Sequence, residues 1–192
     1  QPVIEGNTGS GIGASAAKLL GMKNAMKAGI GSSCIVICKH LKVAALIVLN
    51  ALREVFDPQS GEILAGVRLY PENIQPPFQF INTLSVMVQQ QESQNFADSA
   101  LQPNTTLGVV ATNACLSKEE ANKVAQMAHN GLARTIRPTH TLVDGDTIFA
   151  VAAGKVKADV NIIGAFAAEA VALSCKRAVT TARSLGGLPG LA

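Results

Sequence analysis

Two apolar runs, Ser33–Cys38 (SCIVIC) and Val43–Asn50 (VAALIVLN), flank a short polar interval that begins at Lys39 and ends at Lys42. Each run is rich in β-branched residues and too short for a stable helix. The pair predicts a β-hairpin with buried strands. A hairpin is at best marginal alone in water, so other elements must cover it. The composition can supply that cover: 48% of the 192 residues are hydrophobic and only 15% are charged, which excludes disorder for most of the chain. The length fits one domain.

Seven of the seventeen glycines fall before position 32, in GNTGSGIGAS and GMKNAMKAGIGSS. This predicts a glycine-rich loop, a short helix around Lys18–Lys27 and a further turn. After the hairpin, Val55-Phe56, the turn DPQSGE and Ile63–Arg68 suggest more strand. Residues 71–104 hold four of the eight prolines and seven glutamines, the composition of an exposed, mobile connector, with a short helix near Asn82–Gln90. Thr105–Asn113 reads as a strand. Ser117-Lys-Glu-Glu120 is a capping box. It opens a helix to about Ile136, stopped by Pro138, with an inward stripe of Ala121, Val124, Ala128, Leu132 and Ile136. A strand at Thr147–Gly154, a small-residue-rich helix from about Val160 to Arg183 and a loose tail complete the chain. Strands mixed with late helices indicate α+β, with helices covering sheets.

Several function classes are excluded. A net charge of +3, with no Lys or Arg from Leu69 to Ser117, gives no basic stripe for nucleic acid. Aromatics are 4% with no Trp, so base stacking has no platform. Charges interrupt each apolar run before it could span a bilayer; Arg53 closes the one from Val43 to Leu52. Four cysteines (Cys34, Cys38, Cys115, Cys175) without CxxC spacing suggest a reduced, cytoplasmic protein whose thiols fill core space. His40 and His129 are expected in solvent. The chain starts at Gln1 without Met, which we read as a processed chain or part of a longer product.

The first chemical candidate is Asn104-Thr105-Thr106. A Thr hydroxyl is a weak nucleophile that needs a base. Cleavage of the Asn104–Thr105 bond would give Thr105 a free α-amino group with a reference pKa of about 7.7–8.0, a base within its own residue. Taken alone, the tripeptide also fits an ordinary strand start, where Thr is welcome. Asp144-Gly145-Asp146 following His140 could orient an amine and a hydroxyl; it equally suits a turn before a strand. His140 with the two Asp provides too few ligands for an oxygen-rich metal site. The glycine-rich start matches neither GxGxxG nor a P-loop, so it reads as close backbone packing, or as N–H donors and Lys18 facing a site. Asn50, at the polar end of a strand, could donate its amide N–H₂ to an oxyanion or simply close the strand.

These residues in order, Asn104-Thr-Thr-Leu-Gly-Val-Val-Ala-Thr-Asn113, Met127-Ala-His129, Gly131-Leu-Ala-Arg134, Ile136-Arg-Pro138, His140-Thr141 and Asp144-Gly-Asp-Thr-Ile-Phe-Ala150, closely resemble the L-aminopeptidase/D-esterase family. That family includes β-peptidyl aminopeptidases and the endo-type nylon-oligomer hydrolase. Upstream, Gly6–Gly11, Gly13-Ala14, Lys18–Gly21, Val48–Asn50, Asp57-Pro58, Gly61, Ile63 and Gly66 are similar as well. The resemblance implies a four-layer αββα sandwich, shared with ornithine acetyltransferase. It implies a precursor that cuts itself at Asn104–Thr105 into a part ending at 104 and a shorter chain 105–192, together one domain. Thr105 would be the nucleophile, Lys18 a neighbouring lysine, Asn50 the oxyanion or orienting residue, and Asp144 and Asp146 the acids holding the nucleophile and its amine. Small peptides or amides would be the substrates, in a homo-oligomer of two-chain units, without cofactor, metal, nucleic acid or membrane.

One departure stands out. Family members carry a long segment ahead of the part matching Gln1, including an active-site tyrosine, and Tyr70 is not at the matching place. The fold is therefore expected to lack its N-terminal portion, with that polypeptide as a candidate partner. Two alternatives follow: an inactive assembly module, and an acyltransferase of the ornithine acetyltransferase type. Asn before the nucleophile favours the hydrolase.

Overall fold

A computed structural model describes residues 3–93 and 104–192. Along the chain come strands β1 (Ser15–Ala16), β2 (Met26–Lys27), β3 (Ile30–Val36), β4 (Lys42–Val48), β5 (Glu54–Phe56), β6 (Ile63–Ala65), β7 (Val67–Arg68) and β8 (Phe80–Ile81), then helix α1 (Thr83–Glu92). Strand β9 (Leu107–Ala114), helix α2 (Lys118–Thr135), strands β10 (Ile136–Arg137) and β11 (Thr147–Val156) and helix α3 (Val160–Thr180) complete them.

The apolar runs form the expected antiparallel hairpin, β3 with β4. It belongs to a four-stranded sheet in the order β11-β9-β4-β3. Strand β4 pairs antiparallel with β9, and β9 pairs parallel with β11 through the α2 crossover. Helices α2 and α3 pack on each other and on one face of this sheet. Side chains alternate along each strand, so Val43, Ala45 and Ile47 of β4 and Val110 of β9 turn inward and are buried. Burying each of these Val and Ile side chains contributes about 1.5–3 kcal/mol. Close contact between helix and sheet needs small residues: a Cβ at Gly31 would collide with the backbone of Ser174 and Ala178. The Ser174 hydroxyl also donates to the Ala45 carbonyl at 3.2 Å.

The opposite face of the sheet is open among the described residues. Leu107 is 47% exposed and Phe149 60%, with Val109 and Val151 beside them. An α layer on a β layer is thus in place, and the face on which a second sheet would stack in an αββα sandwich is apolar. No helix among the described residues is long and apolar enough to cross a membrane.

Helix α2 starts with the predicted capping box: Ser117 Oγ accepts the Glu120 N–H at 3.2 Å and Glu120 Oε2 accepts the Ser117 N–H at 2.8 Å. Its buried stripe is Val124, Ala128, Gly131, Leu132 and Thr135; Ala121, expected inward, is only half-buried. Helix α3 is capped by Asp159 and ends at Thr180, short of Arg183. Helix α1 falls within one residue of its expected start. The rest of the connector, residues 94–103, lies outside the described residues.

Four expectations are corrected. Residues 18–27 do not form a helix. Gly21 has φ +88°, a 3₁₀ turn covers Met22–Asn24, and β2 follows. The buried Arg68 guanidinium holds this course by donating to the carbonyls of Lys23 and Ala25. The tail is tied down: the Lys27 N–H donates to the Pro189 carbonyl at 2.8 Å and the Ala192 N–H to the Ala182 carbonyl at 3.0 Å. Of the cysteines only Cys175 is buried, whereas Cys34, Cys38 and Cys115 are exposed. His129 is half-buried, its ring 5.0 Å from that of His140; His40 is exposed as expected.

Candidate active site

Strand direction brings three chain segments to one end of the sheet. Val48, at the end of β4, pairs with Leu107 at the start of β9, so Asn50 leaves the sheet where Thr105 enters it. Because β11 runs parallel to β9, with Thr147 opposite Leu107, the 139–146 loop arrives at the same end. Lys18 joins through the backbone: its N–H donates to the Leu52 carbonyl at 2.7 Å, and the Ala17 N–H to the Arg53 carbonyl at 3.1 Å.

Lys18 is only 3% exposed. Its Nζ donates to Asn50 Oδ1 at 2.7 Å and lies 3.4 Å from the Asn50 carbonyl. Asn50 Oδ1 also accepts the Ser15 N–H at 3.3 Å. Two donors on Oδ1 fix the amide plane and leave Nδ2 as its donating end. Burial, which disfavours an ammonium, pulls Lys18 down to about 8.

On the other side, Asp146 Oδ1 accepts the Thr106 N–H at 2.8 Å and its Oδ2 accepts the Thr139 hydroxyl at 3.0 Å. The Gly145 N–H donates to the Asn104 carbonyl at 3.0 Å, and the Thr147 N–H to the Thr106 carbonyl at 3.0 Å. The backbone on each side of Thr105 is thereby gripped. Gly145 lies close against it: a Cβ there would come 2.7 Å from Thr105 Oγ1, so the hydroxyl would have to shift. The Asp144 carboxylate turns elsewhere. Its Oδ2 accepts the Thr141 N–H at 2.9 Å and the Thr141 hydroxyl at 2.8 Å, and both its oxygens face Arg53 Nη1, at 3.1 and 3.0 Å.

Lys18 and Asn50 are therefore in direct contact, and Asp146 and Gly145 hold the residues flanking Thr105. Sequence reasoning missed Arg53 and Gly145 as site residues. Arg53 had a signal: it is the first charge after the apolar run from Val43, three residues past Asn50. A concavity of about 890 Å³ on the open sheet side, lined by Ser32, Cys34, Leu46 and Val109 among others, does not include Thr105, so size does not mark this site. Among the described residues no group of three His, Cys, Asp or Glu could hold a metal.

The profile of peptidase family S58 matches residues 1–191. The chain belongs to peptidase family S58. Among curated relatives, an uncharacterized aminopeptidase of Mycobacterium leprae is 35% identical over 207 residues, covering 97% of this chain and 52% of that protein. The 6-aminohexanoate-oligomer endohydrolase of Kocuria sp. is 42% identical over 53 residues, 28% of this chain and 15% of that protein. Among solved structures, the L-aminopeptidase D-Ala-esterase/amidase of Ochrobactrum anthropi, a variant of the Ntn hydrolase fold, superposes with a TM-score of 0.61 at 19% identity. That match covers 98% of this chain and 48% of that one. A Burkholderia sp. beta-aminopeptidase gives 0.60 at 22%, covering 100% and 52%. At these identities the structural likeness is one of fold. The chain spans about half the length of the curated relatives that it matches along most of its length.

Proposed function

We propose that this S58 chain carries the catalytic half of a self-processing amidohydrolase that removes N-terminal residues or cleaves small amides. The Asn104–Thr105 bond is cut by the protein itself, and Thr105 becomes the N-terminal nucleophile of a second chain, 105–192. The observation that carries this reading is the meeting of Asn50, Thr105 and the 144–146 loop at one sheet end, with Gly145 against the Thr105 hydroxyl.

The chemistry follows from the residues. The liberated Thr105 amine takes the hydroxyl proton while Oγ attacks the amide carbonyl. The oxyanion is met by Asn50 Nδ2, whose orientation Lys18 sets; one such donor is commonly worth about 10²–10³ in rate. The ester intermediate then forms, the leaving amine departs with a proton, and water releases the acid. A Lys18 ammonium that titrates near 8 adds positive charge beside the developing anion at neutral pH. Asp146 fixes the backbone at Thr106 through its carboxylate. The working unit is a two-chain protomer in a homo-oligomer, completed by sequence that the longer relatives carry outside the shared half.

Intact-mass spectrometry of the purified protein tests this. Two polypeptides split after Asn104 are expected, with turnover of aminoacyl p-nitroanilides; Thr105→Ala leaves one inactive chain. A single uncut chain that hydrolyses such substrates refutes the proposal. The open apolar sheet face favours a second reading, an assembly module without activity. That reading expects large assemblies in sedimentation and no turnover.

A further inference from the structure

Arg53 and Asp144 form a buried ion pair between segments 91 residues apart, with side chains only 5% and 7% exposed. A single nitrogen, Nη1, faces both carboxylate oxygens. Arg53 Nε is buried without a hydrogen-bond partner, while Nη1 is held by Asp144. Such a pair is a poor source of net stability. Desolvating both charges offsets most of their attraction, and apolar residues of the same volume often do as well. What the pair does supply is a fixed geometry.

We propose that Arg53 is a positioning residue that fastens the 139–146 loop to the Lys18–Asn50 side of the site and so sets the place of Thr105. The physical chain is short. The Arg53 carbonyl is bonded to the Ala17 N–H beside Lys18, so its backbone is anchored on the lysine side. Its guanidinium holds Asp144, which closes a turn by accepting from Thr141 N–H and Oγ1. The next two residues carry the grips on the nucleophile strand: the Gly145 N–H on the Asn104 carbonyl, and the Asp146 carboxylate on the Thr106 N–H. His140, at the start of that turn, has φ +59°, a conformation unfavourable for a side chain with a Cβ and one that needs outside support. With Asp144 released, the loop could retreat, and Gly145 with it.

Residue-resolved amide hydrogen exchange on the purified chain tests the proposal. In Arg53→Met, Thr106 and Gly145 are expected to exchange at least about tenfold faster, while amides in the middle of α2 and α3 stay within about twofold. Arg53→Lys, which keeps the cation, should restore most of the protection. Asp144→Asn approaches the same pair from the other side and is read alone if Arg53→Met does not fold. Unchanged exchange at both amides overturns the proposal. So does a uniform rise across α2 and α3, the mark of a purely stabilising pair. The catalytic consequence rests on the function proposed above: kcat falls about tenfold or more with KM nearly kept. A wild-type chain that neither splits nor turns over substrate sinks that function, while the exchange result still decides Arg53.

Discussion

Lys18 Nζ donates to Asn50 Oδ1 at 2.7 Å, joining a buried lysine to a residue two positions past the end of the second hairpin strand. The contact gives the lysine a role and the amide a direction, and burial makes the ammonium costly. A pH signature follows. The folded-state value of about 8 lies below the ordinary 10.5, so the folded chain sheds this proton before the unfolded chain does. The penalty is full below pH 8 and is relieved between 8 and 10.5, where stability rises, by up to roughly 3 kcal/mol. Lys18→Met should remove that rise. Lys27, also lowered by burial, contributes in both proteins, so the difference between urea melts of the two isolates Lys18. Equal slopes above pH 8 would contradict this account.

Gly145→Ala tests the close approach at Thr105. The added methyl must displace the hydroxyl, since its carbon would sit 2.7 Å from Thr105 Oγ1. Misplacement of about 1 Å commonly costs on the order of 10² in rate. We expect slowed splitting at 104–105 and slowed hydrolysis, with a thermal midpoint within a few degrees of wild type. An unimpaired rate would show that the hydroxyl can move aside without loss.

Thiol chemistry reads the open sheet. Cys175 is wholly buried and its thiol is pushed up to about 12, chiefly by burial. Iodoacetamide should therefore add three labels to the native chain, at Cys34, Cys38 and Cys115, and a fourth only in denaturant. Early modification of Cys175 would place it outside the core.

The capping box makes a stability prediction remote from the site. Ser117→Ala removes the acceptor for the Glu120 N–H and should cost about 1 kcal/mol in denaturant melts. Splitting and hydrolysis should be untouched. A change in either would mean that the start of α2 influences strand β9.

Elements written in local pattern were legible in the sequence. The hairpin, the capping box and the two long helices come from periodicities and caps that act over a few residues. The resemblance located Thr105, Asn50, Lys18, Asp144 and Asp146 at positions that the fold gathers at one sheet end. What escaped was set by distant partners. Residues 18–27 look helical until Arg68, more than forty positions on, captures their carbonyls. The tail looks loose until Lys27 holds it. Arg53 looked like the end of an apolar run because Asp144 lies 91 positions away. The cysteines were expected inside because composition alone does not reveal that one sheet face stays uncovered.

Strand β9, which begins just after Thr105, is an interior strand, flanked by β4 from before residue 104 and β11 from after it. Six antiparallel partners, from Val43 opposite Thr112 to Val48 opposite Leu107, stitch the two stretches together beneath a shared layer of helices. Severing the backbone just ahead of Thr105 would therefore release nothing. The fragments should co-elute as one particle and part only when the fold itself is dismantled, and the break would act as a chemical trigger rather than a separation.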